Sequence, residues 1–306
     1  METKKERLGI IGQGFVGTAI REKFKKHFFI QAYDKFHSDK CVSYEDDLIL
    51  IEEKNCIETI VSCCDITFVC VPTPMFHNGK CDTSIVQSVI IDLAKECEKR
   101  DKSIIAIVKS TIPPGTTKEL NKISSNVTVV FSPEFLTEAN ANEDFKNQNR
   151  IILGIDWMEA VEPVMNIFAK VFTSDVKTMV VPSKEAEMTK YTTNLFLASK
   201  VSFFNDIYRI CDTLNIDYDV VREASLLDPR IGDSHTAVPG PDGDFGYGGH
   251  CFPKDMQALL FLSTEYKLAI PTIMGAHTTN QIVRKNKDWE TMKGRAISIS
   301  KEEEEE

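Results

Sequence analysis

Between Arg7 and Val181 the sequence alternates short, β-branched apolar runs with longer stretches of helical periodicity. Such alternation is typical of repeated βαβ units, in which helices cover both faces of a parallel sheet. We therefore predict an α/β fold with a doubly wound parallel sheet. Its strands are predicted at Leu8–Ile11, Phe28–Tyr33, Ile66–Val71, Ile104–Val108, Val127–Phe131, Ile151–Ile155 and Thr178–Val181.

A different pattern follows Pro182. Ser183 is a candidate N-cap, and about 30 residues from Lys184 to Asn215 keep helical periodicity without Gly or Pro. Most of the remainder is also helical in pattern, apart from a Gly- and Pro-rich loop from Asp228 to Gly249. We predict an all-α second domain built on one long connecting helix. The predicted limits are residues 1–182 for the first domain, 183–292 for the second and 293–306 for an acidic tail.

Charge and composition exclude several classes of function. The formal net charge of −10 leaves no basic stripe for a nucleic-acid backbone, and no apolar run is long enough to cross a bilayer. The N-terminal sequence lacks an apolar signal region, so we expect a cytoplasmic protein. The nine cysteines include no C-x-x-C pair, which favours reduced thiols over disulfides and predicts no metal site.

The segment after the first apolar run carries the glycine spacing of a dinucleotide-binding turn. Gly12 permits a tight turn, Gly14 lets a pyrophosphate approach the backbone, and Gly17 lets a helix pack on the strand. With Phe15 and Val16, these glycines open an amphipathic helix whose N-terminus would face the phosphates. This context makes the sheet Rossmann-type, and these residues are predicted to bind the cofactor.

A carboxylate ends the second predicted strand. Asp34 lies about 20 residues after the glycines, where it can accept hydrogen bonds from a ribose and repel a 2′-phosphate. NAD is therefore the predicted cofactor, although Lys35 beside the carboxylate leaves use of NADP open. Thr73 and Thr111 each follow a strand at the sheet edge where ligands bind, and each is interpreted as a cofactor contact or a plain loop cap.

One cysteine lies where a nucleophilic thiol is expected. Cys251 follows a Gly-rich loop that includes Gly248 and Gly249, and Pro253 fits the first turn of a helix that starts beside it. The thiol would then lie at the positive end of the helix dipole, which favours the thiolate. Together with the dinucleotide turn, this cysteine suggests oxidation through a covalent thioester.

Three pairs of functional side chains are spaced four residues apart, which places each pair on one face of a helical turn. Carboxylate pairs suit acid–base work, and an ammonium with an amide suits a developing oxyanion. Such spacing is also common for surface charge and helix support, so both interpretations stay open. The pairs are Glu134 with Glu138, Lys190 with Asn194, and Cys251 with Asp255.

Taken together, these motifs resemble the UDP-glucose/GDP-mannose dehydrogenase family from Leu8 to about Lys287. Glu138 and the stretch Arg230-Ile231-Gly232 resemble the UDP-glucose branch of that family, whereas His250 resembles the N-acetylhexosamine branch. The matching segments are the glycine turn, Val71–Pro74, Asp82–Ser84, Ser110–Thr111, Ser132–Glu138, Lys190 with Asn194, Asp228–Gly232 and Gly248–Asp255.

The resemblance implies an NAD-dependent, four-electron oxidation of a nucleotide sugar. UDP-glucose, oxidised to UDP-glucuronate, is the expected substrate, with GDP-mannose and UDP-N-acetylhexosamines as alternatives. Cys251 would capture the aldehyde formed first, and the thiohemiacetal would be oxidised to a thioester. Lys190 and Asn194 would stabilise its oxyanion.

Further roles follow from the same resemblance. Glu138 would activate the hydrolytic water, with Thr111 and Asp255 orienting it. Arg230 would reach the substrate site of a neighbouring subunit, which implies a homodimer built on the long helix, or else it would form a surface salt bridge. The substrate contacts implied are Glu134, Phe135, Leu136, Glu138, Lys190, Asn194, Arg230 and Gly248.

The chain departs from the family after Trp289. Full-length members carry a third domain that binds the UDP half of the substrate, and the short stretch that remains cannot form a domain of about 100 residues. Three explanations stay open: a naturally short chain, a fragment, or a second chain that supplies the missing surface. We therefore expect weak UDP recognition. Two alternatives stay open: a hydroxyacid dehydrogenase that transfers a single hydride, which would have no use for Cys251, and a catalytically silent NAD-binding protein.

Overall fold

The computed structural model describes residues 5–35, 43–45, 48–50, 57–137 and 140–299. The chain forms two compact units. The first comprises Met1–Thr73 with Thr83–Lys190, and the second comprises Pro74–Asp82 with Tyr191–Glu306. This division falls inside the long helix and assigns residues 74–82 to the second unit, so it differs in detail from the predicted domain limits, which stay a prediction.

The described part of the first unit contains a nine-stranded sheet of order β4-β3-β2-β1-β5-β6-β7-β8-β9. Strands β1, β2, β5, β6 and β7 are parallel to one another, and the hairpin β3–β4 joins β2 in the antiparallel sense. The strands are β1 Arg7–Ile11, β2 Phe29–Tyr33, β3 Ser43–Glu45, β4 Leu48–Leu50, β5 Ile66–Val69, β6 Ile104–Val108, β7 Val127–Phe131, β8 Arg150–Gly154 and β9 Lys177–Val181.

The predicted Rossmann-type α/β class is confirmed, but two of the predicted strands run in the opposite direction. Strand β8 pairs with β7 in the antiparallel sense, and β9 is parallel to β8. An antiparallel neighbour needs no helix crossing over the sheet face. The connection from β7 to β8 instead carries the loop 132–137 and a short helix.

Helices cover both faces of this sheet, as a doubly wound fold requires. One apolar cluster contains residues of α1, α5 and α6, and a second contains residues of α2, α3 and α4. Phe24 lies in the first cluster, with ring contacts to Phe28, Phe68, Phe145, Phe168 and Phe172. The helices are α1 Phe15–Phe24, α2 Ile57–Cys63, α3 Ser84–Arg100, α4 Thr116–Leu120, α5 Ala141–Lys146 and α6 Met158–Ala169.

The long helix is present as predicted and spans α7, Ser183–Leu214. It begins where the backbone N–H and the hydroxyl of Ser183 donate to the Asp156 carboxylate, at 2.9 and 2.6 Å. An acceptor at this position satisfies N–H groups that the first helical turn leaves unpaired. Ser183 therefore starts the helix, and Asp156 supplies the capping carboxylate.

The second unit is helical, in agreement with the predicted all-α class. It contains the rest of α7, α8 Tyr218–Leu226, α9 Cys251–Glu265, α10 Pro271–Val283 and a 3-10 helix, Asp288–Thr291. Its main core includes Tyr191, Leu195, Tyr247, Met256 and Cys81. Among the described residues, no helix combines the length and apolar composition needed to cross a membrane.

Part of the predicted acidic tail is ordered against the segment 74–82. The backbone of Met75 donates to the carbonyl of Ala296 at 2.8 Å and accepts from the N–H of Ser298 at 2.9 Å. Trp289 and Ala296 are buried with Met75 in a small cluster. Residues 293–299 are therefore part of the second unit, while the terminal glutamates lie outside the described residues.

Candidate active site

The glycine turn between β1 and α1 has the geometry of a phosphate-binding loop. Gly12 has φ +89°, and a Cβ there would lie 2.6 Å from the carbonyl oxygen of Cys70. A Cβ on Gly17 would collide with the carbonyl oxygen of Gly12, whereas a Cβ on Gly14 would meet no protein atom within 4 Å. Gly12 and Gly17 are thus required by the fold, and Gly14 leaves the start of α1 open to a ligand.

Asp34 ties the end of β2 to this turn. Its Oδ2 accepts the backbone N–H of Gln13 at 2.7 Å, which places a carboxylate beside the glycines. Phe15 and Val16 are half-buried in the first turn of α1. A carboxylate at this position can bind ribose hydroxyls and disfavours a 2′-phosphate. These residues fit a dinucleotide cofactor.

Thr73 and Thr111 follow neighbouring strands β5 and β6, where the carboxyl ends of parallel strands face a ligand. Both side chains are buried. Glu187 of α7 fixes the loop after Thr111, because its carboxylate accepts the backbone N–H groups of Gly115 and Thr117. Burial raises the pKa of Glu187, and the hydrogen bonds from this loop oppose that shift.

Two buried lysines and one buried glutamate form a charge cluster in the first unit. Lys190 Nζ donates to the carbonyl oxygen of Glu134 at 2.7 Å and to its Oε1 at 3.0 Å. Lys109 Nζ donates to Ser132 Oγ at 3.2 Å and to the carbonyl oxygen of Pro133 at 3.1 Å. Both lysines are therefore anchored to the backbone of the loop that follows β7.

The environment of Lys109 differs from that of Lys190. Burial lowers the pKa of Lys109 to about 8, because the negative groups near it compensate only in part and Lys190 adds a like charge. Phe135 packs between cations, with the Arg150 guanidinium 4.1 Å and Lys190 Nζ 5.6 Å from its ring centre. Leu136 of the same loop is also buried.

Residues 132–137 after β7 do not form the predicted helical turn, and the pairing of Glu134 with Glu138 stays a prediction. Glu134 Oε2 instead accepts the backbone N–H of Leu136 at 2.6 Å. A side chain that binds the backbone two residues ahead offers the chain an alternative to helical hydrogen bonds. Glu138 itself lies outside the described residues.

Cys251 is the first residue of α9, as predicted from Pro253. Its Sγ lies 3.3 Å from Nε2 of His250, and the thiol is half-buried. The preceding Gly249 has φ +70°, a conformation that favours glycine. The sulfur therefore combines a helix N-terminus with an imidazole at hydrogen-bond distance, and both features favour the thiolate.

One turn further along α9, Asp255 is held by two donors. Asn194 Nδ2 donates to its Oδ2 at 2.6 Å, and Lys254 Nζ donates to its Oδ1 at 2.6 Å. All three side chains are buried. Burial alone would lower the pKa of Lys254, but the negative groups near it, Asp255 first and then Cys81 and Cys251, raise it above its usual value.

Lys190 and Asn194 lie four residues apart on α7, as predicted, but each is bound by a different carboxylate. Lys190 pairs with Glu134 in the first unit, and Asn194 pairs with Asp255 in the second. Their joint action on an oxyanion stays a prediction.

Two predicted substrate residues have other partners. The Arg230 side chain is 87% exposed and forms an ion pair with Asp228, with Nε–Oδ1 and Nη2–Oδ2 distances of 2.9 and 2.5 Å. This pair lowers the pKa of Asp228. Gly248 is packed against Arg284 and Asp288. In the single chain Arg230 therefore forms the surface salt bridge that the sequence left as an alternative.

Several buried polar residues carry no recognisable sequence motif of their own. The position of Lys109 directly after the buried strand β6 is a weak indication that this lysine is buried at the sheet edge. Cys81 lies in the core beside the Asp255 group, and burial raises its pKa to about 11 while Lys254 opposes the shift. Within the described ranges, no group of three or more His, Cys, Asp or Glu side chains is arranged to hold a metal ion.

Two family models match the chain. Residues 6–172 match the NAD-binding domain of the UDP-glucose/GDP-mannose dehydrogenase family, and residues 184–282 match the central domain of the same family. The prediction of NAD as the cofactor is thereby confirmed for the domain that carries the glycine turn.

Curated relatives and solved structures agree with this match. A UDP-glucose 6-dehydrogenase of Haloferax volcanii is 30% identical over 281 residues, covering 83% of this chain and 64% of the relative. One from Bacillus subtilis is 30% identical over 279 residues, covering 84% and 58%. The chain thus spans less than two thirds of the length of either relative.

A UDP-glucose dehydrogenase from Pyrobaculum islandicum superposes with a TM-score of 0.80 at 26% identity, over 92% of this chain and 69% of that one. A 3-hydroxyisobutyrate dehydrogenase of Mycobacterium tuberculosis has a TM-score of 0.70 at 12% identity, over 92% and 94%. The second similarity concerns the fold alone.

Proposed function

The chain belongs to the UDP-glucose/GDP-mannose dehydrogenase family, and from this premise we propose that it oxidises UDP-glucose to UDP-glucuronate. The observation that carries the proposal is the placement of Cys251 at the start of α9, with His250 Nε2 3.3 Å from its sulfur. A dehydrogenase that stops at the carbonyl has no need for an activated thiol. A thiol at this position suits an enzyme that continues to the acid.

The first unit is proposed to hold NAD at the glycine turn. Gly12, Gly14 and Gly17 shape the turn, and Asp34 beside Gln13 is the proposed partner of the ribose. When bound, NAD supplies the hydride acceptor, and a four-electron oxidation uses two equivalents of it.

Cys251 is the proposed nucleophile. Attack of its thiolate on the C6 aldehyde forms an S–C6 bond and places the carbonyl electron pair on oxygen. Loss of hydride from C6 then leaves a thioester, and water cleaves the S–C6 bond to release the carboxylate and restore the thiol. His250 and the helix N-terminus favour the thiolate that begins this sequence.

Proton movement is assigned to Asp255. Its carboxylate is buried and fixed by Asn194 and Lys254, so it is held in one orientation. We propose that it moves the C6 hydroxyl proton through a water molecule and later orients the hydrolytic water together with Thr111. Glu138 is the proposed activator of that water.

Oxyanion stabilisation is assigned to Lys190 and Asn194. The Lys190 amino group is buried and has two of its donors on Glu134. The amide of Asn194 has a second N–H besides the one that binds Asp255. A charged donor and an amide are suited to an oxygen that gains negative charge.

UDP-glucose is preferred over GDP-mannose and UDP-N-acetylhexosamines for two reasons. The curated relatives described above are named as UDP-glucose 6-dehydrogenases. The stretch Arg230-Ile231-Gly232 and Glu138 also resemble that branch. Glu134, Phe135, Leu136 and Gly248 are proposed substrate contacts with them.

A homodimer built on α7 is part of the proposal. Phe196, Phe203 and Ile210 follow one another at seven-residue intervals and are 67%, 58% and 54% exposed. Residues at this spacing lie on one face of a helix, so α7 presents an apolar stripe of the kind that packs against a second helix. Arg230 is the proposed contribution of each subunit to the substrate site of the other.

A cytoplasmic location is also proposed, because the cysteines of the described residues are all free thiols.

The test is the NADH yield per limiting nucleotide sugar, followed by absorbance with NAD in excess. Two NADH per UDP-glucose, with UDP-glucuronate as product, support the proposal. The Cys251→Ser variant serves as control and should form no acid while still binding NAD. One NADH per sugar would indicate an alcohol dehydrogenase, and NAD binding without turnover of UDP-glucose, GDP-mannose or UDP-N-acetylglucosamine would indicate a silent NAD-binding protein.

A further inference from the structure

The backbone of the loop before Cys251 is held by side chains from three helices. Asn205 Oδ1 accepts the N–H of Gly246 at 3.1 Å, and Asn280 Oδ1 accepts the N–H of Tyr247 at 2.7 Å. Asp288 Oδ2 accepts the N–H of Gly249 at 3.0 Å. These acceptors belong to α7, α10 and the 3-10 helix. The loop, residues 246–249, is therefore fixed by buried amides and one carboxylate rather than by a sheet or helix of its own.

Arg284 lies at the centre of this arrangement. Its side chain is 2% exposed, and Nη1 lies 2.6 Å from Asp242 Oδ2. Nη2 lies 3.2 Å from Asp288 Oδ1, and Nε donates to the carbonyl oxygen of Asn286 at 2.7 Å. Asp244 Oδ2 is 3.6 Å from Nε. One buried guanidinium thus lies close to two carboxylates that precede it in the chain and one that follows it.

Asp288 connects the guanidinium to the loop. Its Oδ1 faces Arg284 and its Oδ2 accepts the N–H of Gly249, so a single carboxylate binds both groups. Gly248 leaves no room between them, since a Cβ there would lie 2.5 Å from Asp288 Oδ1 and would collide with the guanidinium. Gly249 stands two residues before Cys251.

We propose that Arg284 is a positioning residue for Cys251, acting through Asp288 and Gly249. The proposal rests on the proposed function only in that Cys251 is the nucleophile. Without the guanidinium, Asp242, Asp244 and Asp288 would lose the buried cation that they share. Like charges in a partly buried setting repel. Asp288 would then leave Gly249, and the start of α9 would shift.

A small shift at this point has a large effect on reaction rate. Misplacement of a reacting group by about 1 Å can cost on the order of 100-fold in rate, because the near-attack geometry is lost. The expected loss therefore falls on kcat more than on KM. It also falls on the intrinsic reactivity of the thiol, which can be measured without any sugar substrate.

The experiment compares Arg284→Gln, Arg284→Lys and Asp288→Ala in the full chain. Carbamidomethylation of Cys251 by iodoacetamide is followed by mass spectrometry of the Cys251 peptide, and kcat and KM are measured for the same variants. Arg284→Gln and Asp288→Ala are expected to slow labelling of Cys251 by about 10- to 100-fold. Arg284→Lys keeps the charge but loses the planar fork, so it is expected to recover part of the rate.

The control is buried Cys97 in the first unit, which should stay unreactive in every variant. Rescue of an Arg284→Ala variant by low concentrations of guanidinium chloride would add support, since a lost structural contact far from the loop would not respond. Unchanged Cys251 labelling and kcat in Arg284→Gln would overturn the proposal. So would a joint rise in labelling of Cys97 and Cys251, which indicates general loosening.

Failure of the proposed function gives a different result. In that case the wild-type chain would label at Cys251 and bind NAD but oxidise no nucleotide sugar, and the labelling comparison would still decide the role of Arg284.

Discussion

Asn194 of α7 donates a 2.6 Å hydrogen bond to the carboxylate of Asp255 on α9, and both side chains are buried. Lys254 donates to the other oxygen of the same carboxylate at 2.6 Å. The carboxylate is thus shared by one neutral and one charged donor, and its removal has consequences for both stability and catalysis.

Replacement of Asp255 by Asn should leave the Lys254 ammonium buried without a carboxylate. Removing one partner of a buried ion pair typically costs about 3–5 kcal/mol. We expect a lower urea midpoint and a loss of acid production in Asp255→Asn. Adding Lys254→Met should restore much of the midpoint but not the activity; if stability and activity recover together, Asp255 has no role beyond pairing with Lys254.

The same chemical change at two glycines should separate cofactor binding from folding. Gly14→Ala adds a methyl group where no protein atom lies within 4 Å, whereas in Gly17→Ala the methyl group would collide with the carbonyl oxygen of Gly12. Gly14→Ala should keep the thermal midpoint within a few degrees and weaken NAD binding at least about 10-fold. Gly17→Ala should unfold at a clearly lower temperature. Equal NAD affinity in Gly14→Ala and wild type would contradict a cofactor role for the turn.

Lys109 should give the first unit a measurable dependence of stability on pH. Its pKa is lowered from 10.5 to about 8, mainly by burial. Between these values the unfolded chain binds more protons than the folded one, so stability should rise with pH from about 8 to about 10.5. The slope of unfolding free energy against pH, measured by urea titration, should decrease over this range in Lys109→Met. Identical slopes in the two proteins would exclude the lowered pKa.

His250 should control the reactivity of Cys251. Its Nε2 lies 3.3 Å from the sulfur, where an imidazole stabilises the thiolate. In His250→Gln, the pH midpoint of iodoacetamide labelling at Cys251 should move upward, and the rate at pH 7 should fall by about 10-fold. His277→Gln, at a half-buried histidine of the same unit, is the control. A midpoint shared by all three proteins would show that His250 does not activate the thiol.

The apolar stripe on α7 should hold two copies of the chain together. Phe203 is 58% exposed at the middle of the stripe, so Phe203→Asp would place a charge in the proposed interface. We expect a dimer for wild type and a monomer for Phe203→Asp by size-exclusion chromatography with light scattering. Met158→Asp changes a more exposed residue of the first unit and should stay dimeric. A monomeric wild type would remove the proposed contribution of Arg230 in trans.

The sequence predicts those parts of the fold that depend on local pattern. Six of the seven apolar runs are strands because β-branched residues fill the buried part of the sheet, whereas the seventh, β9, is mostly exposed. Pro253 marks the start of α9 because it fits a first turn. The direction of β8 has no local signal, since a run such as Ile151–Ile155 looks the same in either orientation. The loop conformation at Glu134 has no local signal either. The carboxylate of Glu134 accepts the N–H of Leu136 in place of a helical turn, and the spacing of the residues favours both conformations equally.

The site is predictable only where its residues belong to a motif. Cys251, Lys190 and the glycine turn are recognisable from spacing and context, whereas Arg284 meets Asp242 from 42 positions away in the sequence. Lys109 meets Pro133 from 24 positions away. Burial of a charged side chain depends on such distant partners. The hydrophobic periodicity of a single sequence reports local structure and does not identify these long-range pairs.

The second unit is assembled from separate parts of the chain, since residues 74–82 belong to it although the first unit resumes at Thr83. During synthesis this short segment leaves the ribosome long before α9 and α10 exist. Met75 and Cys81 therefore stay without their core contacts until the C-terminal residues that bury them have been synthesised. A fragment starting at Ser183 would lack this piece of its own interior, and supplying residues 74–82 as a separate peptide would be the natural way to complete it.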